Sequence, residues 1–199
     1  MIRDACRLFF WGFLLIMIDF RVGGFDLLPD VLGWVLMYRG LTLIREESPF
    51  FQPARQVTLP LAGWSLISLY EPPVEPGTIG TGGVFGAWGI LLGLVYLAVT
   101  IWTMFQVFKG LADMADRQGV DDLKDEIHTR GLQFVALQVA VIGAFVLVFI
   151  PGLALVYILG IWIWSLVLTV MIMKTMNRSG RELATGVQQN DDSGGDWIE

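Results

Sequence analysis

Three uncharged apolar runs constrain this chain more than any other feature: Val84–Val107, Leu132–Ile150 and Leu153–Met173. A helix needs roughly 20 apolar residues, at 1.5 Å each, to cross about 30 Å of hydrocarbon. All three runs meet that length. Pro151 and Gly152 separate the last two, as in a tight helical hairpin. The rest of the composition agrees. Of 199 residues, 55% are apolar and 16% charged, against about 25% charged in a soluble domain. A soluble fold of this size cannot bury so much apolar surface, whereas a bilayer solvates it.

The first half carries three weaker candidates. Residues 3–22 carry Asp19 and Arg21 at their far end, residues 29–44 contain Arg39, and residues 57–70 are short with Pro60 near the start. Such segments are held by neighbouring helices rather than by hydropathy alone. The expectation is an all-α, polytopic transmembrane bundle of about six helices. It spans residues 1–176, with crossings at 3–22, 29–44, 57–70, 84–107, 132–150 and 153–173. Arg3 and Arg7 before an apolar run resemble the start of a secretory signal, but no A-x-A-like cleavage site follows, which predicts an uncleaved first helix.

Between the runs lie three polar segments. Glu71–Gly83, rich in Pro and Gly, predicts a loop. Residues 109–130 predict a charged cytoplasmic connector, split at Gly119 and restarted by Asp121 or Asp122 as a cap. There Val120, Leu123 and Ile127 share one helical face, and Glu126 and Arg130 are spaced for an i,i+4 pair. That face reads as a solvated connector running into the fifth span, or as a surface for a partner or the membrane. Residues 177–199 read as a disordered, acidic C-terminal tail.

Charge then sets the orientation, because cytoplasmic loops carry excess Lys and Arg. With six spans and the N-terminus inside, Arg3, Arg7, Arg45, Arg55, Lys109, Arg117, Lys124, Arg130, Lys174, Arg178 and Arg181 all fall on the inside, and Arg39 snorkels that way. Only Arg21 is left outside. Both termini are therefore expected in the cytoplasm of a multi-pass cell-membrane protein. The net charge of −6 and the lack of a basic patch argue against nucleic acid as a partner. The expected partners are the lipid bilayer and a membrane protein or a second copy.

The most unusual stretch is Asp19–Arg39, DFRVGGFDLLPDVLGWVLMYR. A charge at the bilayer centre costs roughly 2.5–3.5 kcal/mol, so Asp19, Arg21, Asp26 and Asp30 together would cost on the order of 10 kcal/mol there. They must sit at the interface, pair, or line a hydrated cavity. Gly23-Gly24 permits a tight turn, Pro29 suits a first helical turn, and Asp26 and Asp30 are placed to cap that helix and meet its dipole. Two readings follow: a capped hairpin at the outer interface, or a polar site for an ion, a proton or a headgroup built on Asp19, Arg21, Asp26, Asp30 and Arg39.

Phe20–Trp34, F-R-V-G-G-F-D-L-L-P-D-V-L-G-W, resembles a hairpin motif of small uncharacterised multi-pass membrane proteins of Gram-positive bacteria, F-R-[IV]-x-x-F-D-[IL]-L-P-D-x-[IL]-G. The match covers Asp19 to about Leu41. The D-L-L-P-D core is also similar to a motif in a second family of small membrane-associated proteins, whose paired Asp after the glycine is absent here. The resemblance implies a membrane fold and supplies no activity.

No chemistry-bearing motif fills that gap. The lone His128 has no cysteine near it, and no H-E-x-x-H, P-loop, G-x-S-x-G or G-x-G-D pattern occurs. No metal, cofactor or catalytic residue is expected. Cys6, the only cysteine, reads as a small apolar filler. The expected function is non-enzymatic, acting by helix packing or partner binding in the cell envelope. The alternatives are a small transporter or ion-binding protein using Asp19, Asp26 and Asp30, and then a lipid-modifying enzyme built on the same cluster.

Overall fold

A computed structural model describes residues 1–17, 21–22, 25–26, 30–67, 87–147 and 151–193. The described residues form six helices: α1 (Ile2–Met17), α2 (Asp30–Leu43), α3 (Phe51–Ile67), α4 (Ala87–Arg117), α5 (Asp121–Leu147) and α6 (Pro151–Ser193). Two-residue strands β1 (Arg21–Val22) and β2 (Phe25–Asp26) form an antiparallel ladder between α1 and α2. Each helix packs on its neighbour in sequence, and α6 returns to α1, closing an up-and-down ring. The helical expectation holds. Among the described residues, two helices, within Leu91–Arg117 and Gly152–Thr185, are long and apolar enough to cross a membrane.

Small residues bring α1 and α2 into close contact. A Cβ on Gly12 would lie 2.8 Å from the Gly33 carbonyl oxygen, and one on Gly40 would lie 2.6 Å from the Phe9 ring. Only glycine lets the two backbones approach this far. Aromatic and sulfur-bearing side chains fill the interior: Phe9, Phe13, Trp34, Met37, Met104 and Phe134 are all buried. Phe13 of α1 meets Phe134 of α5 edge-on at 5.8 Å, linking the two helices that flank α6.

Several boundaries differ from the sequence expectation. The third helix starts at Phe51 rather than 57, because Pro53 is tolerated in a first turn and Arg55 packs its guanidinium over the Tyr38 ring. The connector 109–130 is not separate from the spans. It is the end of α4, a tight turn with Gly119 at φ 69°, and the start of α5. Gly119 accepts that left-handed conformation without the steric cost a side chain brings. Leu123 and Ile127 are buried in the core, so that face is used inside the ring.

The tail expectation is corrected as well. Residues 177–193 continue α6 as helix instead of starting a disordered end. The turns after Met173 have an inward stripe of Thr175, Ser179 and Leu183, all buried, which their polar composition conceals. Residues 194–199 and the 71–83 loop lie outside the described residues, as do parts of the expected spans (18–20, 68–70, 84–86 and 148–150).

Candidate functional site

The hairpin residues are only partly brought together. The ladder sets Arg21 opposite Asp26 and Val22 opposite Phe25. Asp19 lies outside the described residues. Asp30 is half-buried and opens α2, where a carboxylate meets the positive end of the helix dipole. Arg39 is exposed and does not join them. Nine residues further along α2, it sits about 13 Å away along the axis.

One turn beyond Asp30, a polar cluster crosses the ring. Trp34 is fully buried, and its Nε1–H donates to the Tyr96 hydroxyl of α4 at 2.9 Å. Ser65 of α3 lies 3.3 Å from the same hydroxyl, and Trp64 stacks on the Tyr96 ring. Three helices thus converge on one phenol. Spacing within a single run could not reveal this, because the partners are far apart in sequence.

The densest polar chemistry lies at the opposite end of the ring. The α2–α3 turn, the α4–α5 turn, the first turns of α1 and the last turns of α6 meet there. Ser48 donates to Asp113 Oδ2 at 2.6 Å, and Arg117 pairs with the same carboxylate. Partial burial pushes the Asp113 pKa up, but the Ser48 hydroxyl and the Arg117 guanidinium outweigh it and hold the carboxyl below its ordinary value. Lys124 bridges to Asp116 across the turn at 2.6 Å, and Gln118 donates to the Leu183 carbonyl at 3.2 Å.

Glu126 has a different partner from the one its spacing suggests. Arg130 instead donates to Gln133 at 2.8 Å. Glu126 accepts from Thr175 at 2.7 Å and from Arg178 at 2.6 Å, both on α6. Desolvation raises its pKa, yet the Thr175 hydroxyl and the Arg178 charge hold the carboxyl below the usual range.

Beside this network, α1 and α6 leave a groove of about 320 Å³ lined by Arg3, Cys6, Arg7, Phe10, Trp11, Met176, Asn177 and Gly180. Among the described residues no group of His, Cys, Asp and Glu is arranged to hold a metal ion. Comparison with family models, with curated proteins and with solved structures found no match.

Proposed function

We propose that this chain is a multi-pass integral protein of the cell membrane. Its six helices cross the bilayer, its charged end and both chain ends face the cytoplasm, and it works without catalysis by packing against a membrane partner. The observation that carries this reading is the surface of α6. Leu155, Val156, Trp162 and Ile163 are 58–66% exposed, and together with exposed Leu153, Ile158 and Trp164 they spread apolar surface over about 240° of the helix. Only 17% of the apolar stretch of α6 is buried within the chain, unlike the core helix of a soluble protein. A helix that is apolar all round and uncovered calls for lipid or another apolar chain.

The position of the basic residues supports the orientation. Arg3, Arg7, Arg45, Arg117 and Lys124 all belong to the end where the two inter-helix turns meet the α6 extension. The Phe20–Trp34 motif extends the proposal to membership of the Gram-positive hairpin family it resembles. The antiparallel backbone pairing of 21–22 with 25–26 favours a hairpin over an ion site.

Cysteine accessibility tests the reading. In a Cys6→Ala background, Gly77→Cys should react with a membrane-impermeant maleimide on intact cells. His128→Cys should react only after permeabilisation. Labelling of His128→Cys from outside would overturn the orientation. A Val156→Cys variant, on the bare face of α6, should cross-link to a second polypeptide within the membrane. Adducts to lipid alone would remove the partner from the proposal.

A further inference from the structure

The groove between α1 and α6 carries three arginines. Arg3, Arg7, Asn177 and Gly180 line its main part. A contiguous cleft, sharing Arg3 and Gly180, continues past Arg181 and Thr185. No acidic side chain lines either part. Among the described residues, Arg3, Arg7 and Arg181 form no salt bridge, whereas Arg45, Arg117 and Arg178 at the same end are all paired. Asp4 pairs with the N-terminal amine at 3.5 Å, and Glu182 is held by Arg178 at 2.7 Å. In a chain of net charge −6, three uncommitted guanidinium groups around one cleft are a local reversal of sign.

The other wall is apolar. Phe10, Trp11 and Met176 continue the groove from the arginines toward the bare part of α6. Trp11 is 47% exposed, and indole at that depth suits the boundary between headgroups and acyl chains. Cys6 and Gly180 form the floor. A Cβ on Gly180 would lie 2.9 Å from the Cys6 Cβ, so the glycine sets how closely the two helices approach.

We infer that this groove binds one anionic phospholipid, its phosphate among Arg3, Arg7 and Arg181 and its acyl chain along Phe10 and Trp11. Guanidinium forks match phosphate oxygens bidentately, and basic clefts between helices on the cytoplasmic side select anionic headgroups. The inference rests on the membrane orientation proposed above.

The test uses the purified full-length protein in neutral detergent, with its melting temperature followed as phosphatidylglycerol is titrated in. Phosphatidylglycerol should raise Tm, while phosphatidylcholine and inorganic phosphate should leave it unchanged. The triple variant R3Q/R7Q/R181Q should shift the titration midpoint about a hundredfold, since each cation near an anionic surface is worth roughly fivefold. R39Q/R45Q, with cations outside the groove, should titrate like the parent. If the triple variant does not fold, R3Q alone is read in the same way, with about a fivefold shift expected. Stabilisation by inorganic phosphate would make this a general anion site and overturn the lipid assignment. An unchanged midpoint in the arginine variants, or an equal loss in R39Q/R45Q, would overturn the site itself. His128→Cys labelling reads the orientation without the groove, so a correctly inserted chain that ignores phosphatidylglycerol sinks this inference alone.

Discussion

Arg178 of α6 reaches the neighbouring helix α5 at Glu126, Nη1 to Oε2 at 2.6 Å, while its Nε holds Glu182 one turn further along its own helix at 2.7 Å. One guanidinium therefore fastens the α6 extension to α5 and braces it internally. Thr175 donates to the other oxygen of Glu126 at 2.7 Å, so both carboxylate oxygens are engaged. The extension is helical where composition suggests a tail because α5 offers it this anchor.

Acid should loosen that anchor. Glu126 is held below its ordinary value of 4.5, so the unfolded chain takes up its proton first as pH falls. Its contribution is complete above about pH 4.5 and is lost as pH drops through the lower folded-state value. Asp113, also depressed, acts in the same direction. Melting temperature should therefore fall below about pH 4.5, and Glu126→Gln should flatten that dependence. At neutral pH the substitution should cost about 1 kcal/mol, because solvent reaches the pair. A pH profile of Glu126→Gln that parallels the parent would show the link to be unimportant.

Removing the Tyr96 hydroxyl should be costly for its size. Tyr96→Phe keeps the ring stacked on Trp64 but leaves the Trp34 Nε1–H without its acceptor. A buried donor stripped of its partner costs about 1–3 kcal/mol, and the lower half of that range is usual in membranes. Ser65→Ala should cost less, since the Tyr96 phenol still accepts from Trp34. Denaturation in detergent by a graded unfolding agent compares the two. Equal effects would mean the cluster is not centred on the phenol.

Two glycine substitutions should separate packing from helix propensity. Gly33→Ala places a Cβ 2.8 Å from the Gly12 carbonyl oxygen, a backbone atom that moves only with its helix. Overpacking of that kind costs about 1–3 kcal/mol. Gly63→Ala meets nothing within 4 Å and should be neutral or stabilising by up to about 1 kcal/mol through helix propensity alone. Folded yield and thermal stability of the two variants test the contrast. A harmless Gly33→Ala would mean α1 and α2 are not locked together through this contact.

Local chemistry made much of this legible. The long apolar runs announced α4, α5 and α6, Gly119 marked the α4–α5 turn, and Asp30 opened α2. What stayed hidden depends on partners distant in sequence. Glu126 has Arg130 at the right helical spacing, but the bond goes to Arg178, which a different helix brings nearer. Nothing in residues 177–193 shows that Ser179 and Leu183 turn inward, since a stripe of Thr, Ser and Gly is apolar only against a wall. Arg39 belongs to the polar 19–39 segment by sequence, yet helical rise carries it to the far end of α2.

The contact of Cys6 with Gly180 also has a kinetic meaning. Among the described helices, α1 is the first to be made and α6 the last, yet they are neighbours in the ring. Each intermediate product of synthesis is therefore an open row of helices with two raw edges, one of them the side of α1 that carries Arg3, Cys6 and Arg7. Anything that binds that edge early competes with the chain's own last helix, so the order of synthesis leaves a window in which lipid or partner reaches α1 before the ring can close.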